Sequence, residues 1–209
     1  MISPFNSEFL SPTKLFRRLS VMLSISDAPN KSQHAIARQT HLSSSMVNNY
    51  IKSLVREGFI RVSGSTNRTQ TYHLTASGRN VLRNDFLAYS AEIVQLYGAV
   101  KREIAMILRS FYDEGIRTVV LFGAAETAEV VHAALKSTDL VVIGVVDSDH
   151  SKQGKPFNGL IVQPPDKLLK IMPDAVVITS FGRQEEIFNY VQDVVGGQIQ
   201  IIRLSDIDV

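Results

Sequence analysis

Between Ser44 and Arg56 the sequence spaces six polar side chains so that a helix would gather them on one side. Ser44, Ser45, Asn48, Asn49 and Lys52 lie on or beside the face opposite Val47, Ile51, Leu54 and Val55, with Arg56 following one turn later. The residue types suit hydrogen bonding to base edges. Asparagine bonds bidentately to adenine, and serine is short enough to let a helix approach the bases. Lys52, Arg56, Arg61 and Arg68 suit phosphate oxygens, which supply affinity more than discrimination.

A second constellation lies further on. The apolar run Arg117–Phe122 is followed at once by Gly123-Ala-Ala-Glu-Thr-Ala128, and a second apolar run, Leu140–Val146, ends at Asp147. A dinucleotide-binding βαβ unit needs a glycine for the turn, close backbone approach to phosphate at a helix N-terminus, and an acid after the second strand for ribose hydroxyls. Gly123 and Asp147 satisfy the first and last of these. The second glycine position holds Ala125, whose methyl stands where pyrophosphate approaches, and Glu126 suits the helix dipole but repels phosphate. The candidate ligand contacts are Gly123, Ala124, Ala125, Glu126, Thr127, Asp147, Lys155 and Ser180. Asp147, Asp149 and His150 are near neighbours on a loop, where such groups are usually solvated, and no metal site is expected.

Capping residues and apolar periodicity outline the elements that must position these groups. Ser11-Pro12 reads as N-cap and first position of a helix in which Leu15, Phe16, Leu19, Met22 and Leu23 recur at helical spacing. Ser32 can cap a short helix from Gln33 to Thr40, and Ser43 a third running to about Glu57, ended by Gly58. Phe59–Val62, a polar tip at residues 63–68, and Thr69–Leu74 read as a β-hairpin. From Thr75 to about Glu114 the pattern is helical. Leu82, Phe86, Tyr89, Ile93, Leu96, Val100, Ile104, Ile107 and Phe111 form a heptad seam with one insertion near Val100, and a bend is expected near Gly98. Beyond Ile116, β-rich runs alternate with helical stretches, as in a parallel α/β sheet, with further strands at Asp174–Ser180 and Ile199–Leu204.

Bulk properties narrow the class. With 44% hydrophobic and 20% charged residues, the 209-residue chain has the composition of a globular protein of two domains. It contains no cysteine, which excludes disulfides, thiolate metal sites and thiol switches. No apolar run is long enough to span a membrane, the N-terminus lacks the pattern of a secretory signal, and a cytoplasmic location is expected. The net charge of +2 is unevenly spread. Residues 1–88 carry 11 Lys/Arg against 4 Asp/Glu, and residues 89–209 carry 11 against 16. A basic half joined to an acidic half points to a polyanion as partner of the first half alone.

The run Ser32–Ile60 resembles the winged helix-turn-helix of MarR-like bacterial regulators and of regulators associated with exopolysaccharide clusters. That resemblance implies that the second helix of the motif, with Ser44, Ser45, Asn48, Asn49 and Lys52, reads the major groove of double-stranded DNA and that the wing, through Asn67 and Arg68, touches backbone or minor groove. The segment Gly144–Val162, with Asp147, Gly154, Lys155, Gly159 and Val162, resembles Rossmann-like families. These are the Rex redox-sensing repressors, the N-terminal domains of sugar acyltransferases, and CapD-type dehydratases. It implies a nucleotide-containing effector, NAD(H) or a nucleotide-sugar, with Asp147 at the ribose or base. The expected architecture is α/β with a separate α+β winged-helix domain: residues 1–80 for DNA, 81–115 as connecting and dimerisation helix, and 116–209 as a Rossmann-like parallel sheet. A homodimeric regulator is expected. The α/β segment has no Tyr-x-x-x-Lys dyad or nucleophile–base set, so enzymatic activity is not. A ligand-free scaffold and a small nucleotide-dependent enzyme are the alternatives.

Overall fold

The computed structural model describes residues 10–64 and 69–205. Asn67 and Arg68 therefore lie outside the described residues. The chain divides into two compact units, residues 1–94 and 95–209, with the division falling inside one long helix.

In the first unit, α1 (Lys14–Asp27), α2 (Gln33–Thr40) and α3 (Ser44–Arg56) precede the antiparallel hairpin β1 (Ile60–Ser63) and β2 (Thr71–Leu74). Each helix starts where a hydroxyl accepts a backbone N–H. Ser32 accepts from Ala35 at 3.2 Å and Ser43 from Met46 at 3.2 Å. The first helix starts later than the sequence suggests. Thr13, not Ser11, is its N-cap, because the Thr13 hydroxyl accepts the amide of Phe16 at 3.1 Å. His41 ends α2 in the left-handed conformation at φ 52° and makes the tight turn into α3. The core of this unit joins Val21, Met22 and Ile25 of α1, Ile36 and Ala37 of α2, Val47, Ile51 and Leu54 of α3, and Ile60 and Tyr72 of the hairpin. Of the periodic apolar residues of α1, Leu23 is only half-buried and Leu15 is 73% exposed.

Helix α4 (Ala76–Asp113) is one helix of 38 residues and passes through Gly98 without interruption. Thr75 caps it, accepting the amide of Gly78 at 3.0 Å while donating to the carbonyl of Gly58 at 2.8 Å. The apolar seam is not uniform. Leu82 packs against the core of the first unit, whereas Ile104 and Leu108 are buried in the core of the second. Between them Phe86, Leu96 and Val100 are exposed.

The second unit is an α/β sheet in the order β5-β6-β4-β3-β7-β8. Its strands are β3 (Thr118–Phe122), β4 (Val141–Val146), β5 (Pro156–Phe157), β6 (Leu160–Gln163), β7 (Ala175–Ile178) and β8 (Gln200–Arg203). All pairs are parallel except β5–β6. That edge hairpin makes the sheet mixed where a parallel one was expected. It arises from Asn158-Gly159, whose φ values of 47° and 88° are those of a type I′ turn. Helix α5 (Glu126–Leu135) and the end of α4 cover one face of the sheet. The one-turn α6 (Leu168–Ile171) and α7 (Gln184–Val195) cover the other. β3 and β7 are buried on both faces, which is why they read as unbroken apolar runs. The chain runs from β3 outward through β4 and β6, then returns to β7 on the other side. The switch point thus falls between the C-terminal ends of β3 and β7.

Candidate functional site

On α3 the side chains divide cleanly. Val47, Ile51 and Leu54 are buried, while Ser44, Ser45, Asn49, Lys52 and Arg56 are exposed and Asn48 is half-buried. Val55, expected on the apolar face, is 41% exposed. It sits at the edge of the buried stripe, where Leu54 and Ile60 already close the core. Ser45 shares a hydrogen bond of 3.1 Å with the capping Ser43. Among the described residues, the side chains of Ser44, Asn48, Asn49, Lys52 and Arg56 make no hydrogen bond or ion pair with the rest of the fold. Arg61 pairs in register with His73, on the hairpin face opposite Val62 and Tyr72.

The end of α3 is held by a residue the periodicity did not single out. The Arg18 guanidinium on α1 lies 3.0 Å from the Glu57 carboxylate and 3.8 Å from Asp85 on α4, and stacks 5.3 Å over the Phe59 ring. Its Nε is buried without a hydrogen-bond partner. Ser53 donates to the same Glu57 at 2.7 Å. An arginine among apolar residues at helical spacing signals this role only once its partners, distant in sequence, are folded around it.

In the second unit Gly123 turns out of β3 at φ 111°, and an added Cβ would stand 2.8 Å from the Thr179 hydroxyl. That hydroxyl, 3% exposed, donates to the carbonyls of Phe122 at 2.7 Å and Gly123 at 2.9 Å. Asp147 is 6% exposed at the end of β4. Its carboxylate accepts the amides of Ala124 at 2.8 Å and Asp149 at 2.9 Å and the Lys152 ammonium at 3.0 Å. Lys152, rather than Lys155, is thus the lysine of this loop that meets Asp147, and Lys155 is exposed. Gln153 ties the loop again, donating to the Asp147 carbonyl at 2.9 Å. Gly123, Ala124, Asp147 and Thr179 therefore converge at the ends of β3, β4 and β7. Ala125 is the extended N-cap of α5 and gives no side-chain cap, Glu126 and Thr127 open that helix, and Ser180 is half-buried just beyond Thr179. Arg183, at the start of α7, has its pKa raised by the hydrogen bond to Glu186 first, with the Asp147 charge a minor contributor.

These residues fit a nucleotide in part. Asp147 stands where ribose hydroxyls would be bound. A diphosphate at the start of α5 fits poorly, because the Ala124 amide is already taken, Ala125 adds a methyl and Glu126 adds a negative charge. Among the described residues no group of three His, Asp or Glu side chains could hold a metal ion. No helix among them is long and apolar enough to cross a membrane.

Comparison with known proteins assigns the two units separately. Residues 17–61 match the model of a family described as winged helix-turn-helix DNA-binding, and residues 115–202 one described as C2185-like, N-terminal. No curated protein matches the chain. Among solved structures, it is similar to the transcriptional regulator BldR from Sulfolobus solfataricus, with 18% identity and a TM-score of 0.37 over 40% of this chain and 60% of that one. Staphylococcus aureus MarR, solved with salicylate and kanamycin, gives 18% and 0.33 over 40% and 54%. The chain thus spans less than two thirds of the length of either regulator. RSP, a Rex-family repressor, gives 11% and 0.35 over 96% of this chain and 83% of that one. The N-terminal unit has the winged helix-turn-helix fold, followed by a Rossmann-like α/β unit.

Proposed function

We propose that the protein is a transcriptional regulator that binds double-stranded DNA as a homodimer, and that its Rossmann-like unit senses a nucleotide-containing effector, NAD(H) or a nucleotide-sugar. The observation that carries the DNA-binding part is the outward arc of α3. Ser44, Asn48, Asn49 and Lys52 leave their hydrogen-bonding groups unspent on the fold, with Ser45 bonded only to the capping Ser43, beside a basic surround. The exposed Phe86, Leu96 and Val100 of α4 support a helix that pairs with a second copy, since operator half-sites mirror protein two-fold symmetry. Selection of binding sites from random duplexes by the purified protein tests this. Enriched sites with two-fold symmetry are expected, and enrichment of none would remove the reading.

For the effector, Asp147 at the strand end supports recognition of ribose hydroxyls, and the anionic groups of the ligand would then be met by Lys152 and Arg183 instead of by α5. A thermal-shift panel of NAD⁺, NADH, ATP, coenzyme A and UDP-sugars tests it. A ligand at about 100 times its dissociation constant adds roughly 2.7 kcal/mol. One observation favours the alternative of a ligand-free scaffold: the Asp147 carboxylate and the Ala124 amide already satisfy each other. No shift with any nucleotide would select that alternative.

A further inference from the structure

A groove of about 610 Å³ separates α3 from the wing hairpin. When one element enters the major groove of a duplex and its neighbour reaches the adjacent minor groove, a single sugar–phosphate strand runs between them. The space between α3 and the hairpin is where that strand has to lie. Its walls have the matching chemistry. Lys52 and Arg56 stand on the α3 side, Gln33 at the start of α2, and Gln70 just before β2 on the tip side of the hairpin, with Val55 and Val62 as apolar patches between them. The two lysine and arginine charges were legible in the sequence; the two glutamines were not.

Gln70 differs from the other groups in being held. Tyr72 is 2% exposed, and its hydroxyl donates to the Gln70 Oε1 at 3.1 Å. The strand is pinned at the same point, since the Tyr72 amide donates to the Pro29 carbonyl at 2.8 Å. With its oxygen engaged, the Gln70 amide has only its two N–H groups left to offer. Among the described residues that nitrogen has no partner. A half-buried amide limited to donation cannot read adenine bidentately, which needs an acceptor as well, but it suits a phosphate oxygen.

We propose that Gln70 donates its side-chain amide to a phosphate oxygen of the DNA strand in this groove, and that Tyr72 is the positioning residue that orients it. The inference rests on the DNA-binding reading and adds to it a neutral backbone contact from the wing side.

The test measures affinity of the full-length protein for a selected operator and for a random duplex across a salt series. Gln70→Ala is expected to weaken both duplexes by the same factor, about 3- to 10-fold, the range of one net hydrogen bond. The salt slope stays as in the wild type, because no charge is lost, whereas Lys52→Ala lowers it by about one. Gln70→Glu, which replaces donors with a negative charge, is expected to weaken binding more than Gln70→Ala. Tyr72→Phe keeps the buried ring and is expected to weaken both duplexes too. The double variant Tyr72→Phe/Gln70→Ala then binds no worse than Gln70→Ala alone, a non-additivity that a purely structural role for Tyr72 does not produce. Wild-type affinity in both Gln70 variants overturns the proposal. A changed base preference in Gln70→Ala overturns the phosphate assignment in favour of a base edge. If the wild-type protein itself binds neither duplex, the failure belongs to the DNA-binding reading and is recognised as such.

Discussion

The Lys152 ammonium stands 3.0 Å from the Asp147 carboxylate, and the pair closes the loop after β4 over the turn after β3. The two partners are unequal, since the Lys152 side chain is 35% exposed and that of Asp147 8%. Asp147→Ala is expected to destabilise the protein by about 1–2 kcal/mol, because the amides of Ala124 and Asp149 lose the buried carboxylate that accepts them. Lys152→Ala is expected to change stability by less than about 1 kcal/mol, as for a partly solvated ion pair. Urea unfolding of the two variants checks the order. It also shows whether a loss of nucleotide binding in Asp147→Ala reflects the site or the fold.

Two glycines of α4 should respond to alanine in opposite directions. A Cβ on Gly78 would lie 2.0 Å from the Phe59 carbonyl oxygen, a backbone atom that cannot turn aside. A Cβ on Gly98 meets only the tip of Arg102, at 3.6 Å. Alanine gains about 0.8–1 kcal/mol in helix propensity at either place. At Gly98 that gain should appear as a raised Tm. At Gly78 the forced displacement, about 1–3 kcal/mol or more, outweighs it and Tm falls. A stabilised Gly78→Ala protein would contradict the close seating of α4 on the turn between α3 and β1.

Acid sensitivity has a nameable source in Asp174. Its carboxylate accepts the amides of Thr118 at 2.8 Å and Arg117 at 2.9 Å and the Thr118 hydroxyl at 2.9 Å, and these bonds hold its pKa below the usual aspartate value. A depressed folded-state pKa contributes stability that is present above the unfolded value of about 3.9 and is lost as pH falls through the folded one. Asp174→Ala should therefore flatten the loss of stability below about pH 4 while lowering stability at neutral pH. Asp27, Asp149 and Glu186 titrate in the same sense, so the flattening is partial. Chemical denaturation at pH 7 and at several acid pH values reads both effects.

On the face of α3 proposed to read DNA, Asn49 and Lys52 should fail differently. Asn49→Ala is expected to relax base preference at one position, a loss of about 1–3 kcal/mol of discrimination, with the salt slope intact. Lys52→Ala should weaken all duplexes alike. Equal effects of both variants on every sequence would place Asn49 on the backbone instead of a base edge.

Local chemistry with a one-residue signature was readable from the chain. The helix-turn-helix was legible because Ser32 and Ser43 each stand directly before an apolar repeat, and the structure gives both the capping bond their position implies. Where two hydroxyls competed, at Ser11 and Thr13, sequence order did not decide, and the bond to Phe16 did. Val55 was misplaced because periodicity describes the helix alone and not where its neighbours stop covering it. The edge strand β5 is too short to show alternation, although its Asn158-Gly159 turn was a signal available to use. Lys152 and Arg18 were hidden for a deeper reason, since their partners are set by loop closure and by packing between helices, neither of which has a period.

The division of labour on α3 has a consequence for how such a protein diverges. The residues that hold the helix in place, Val47, Ile51 and Leu54, are separate from those that face outward, of which Ser44, Asn48, Asn49, Lys52 and Arg56 bond to nothing else among the described residues. Exchanging Asn49 for another polar residue leaves every folding contact intact. On the proposed DNA-binding reading, a lineage carrying this domain drifts from one target sequence to another through intermediates that all fold, so that changing its address in a genome is a matter of surface substitution alone.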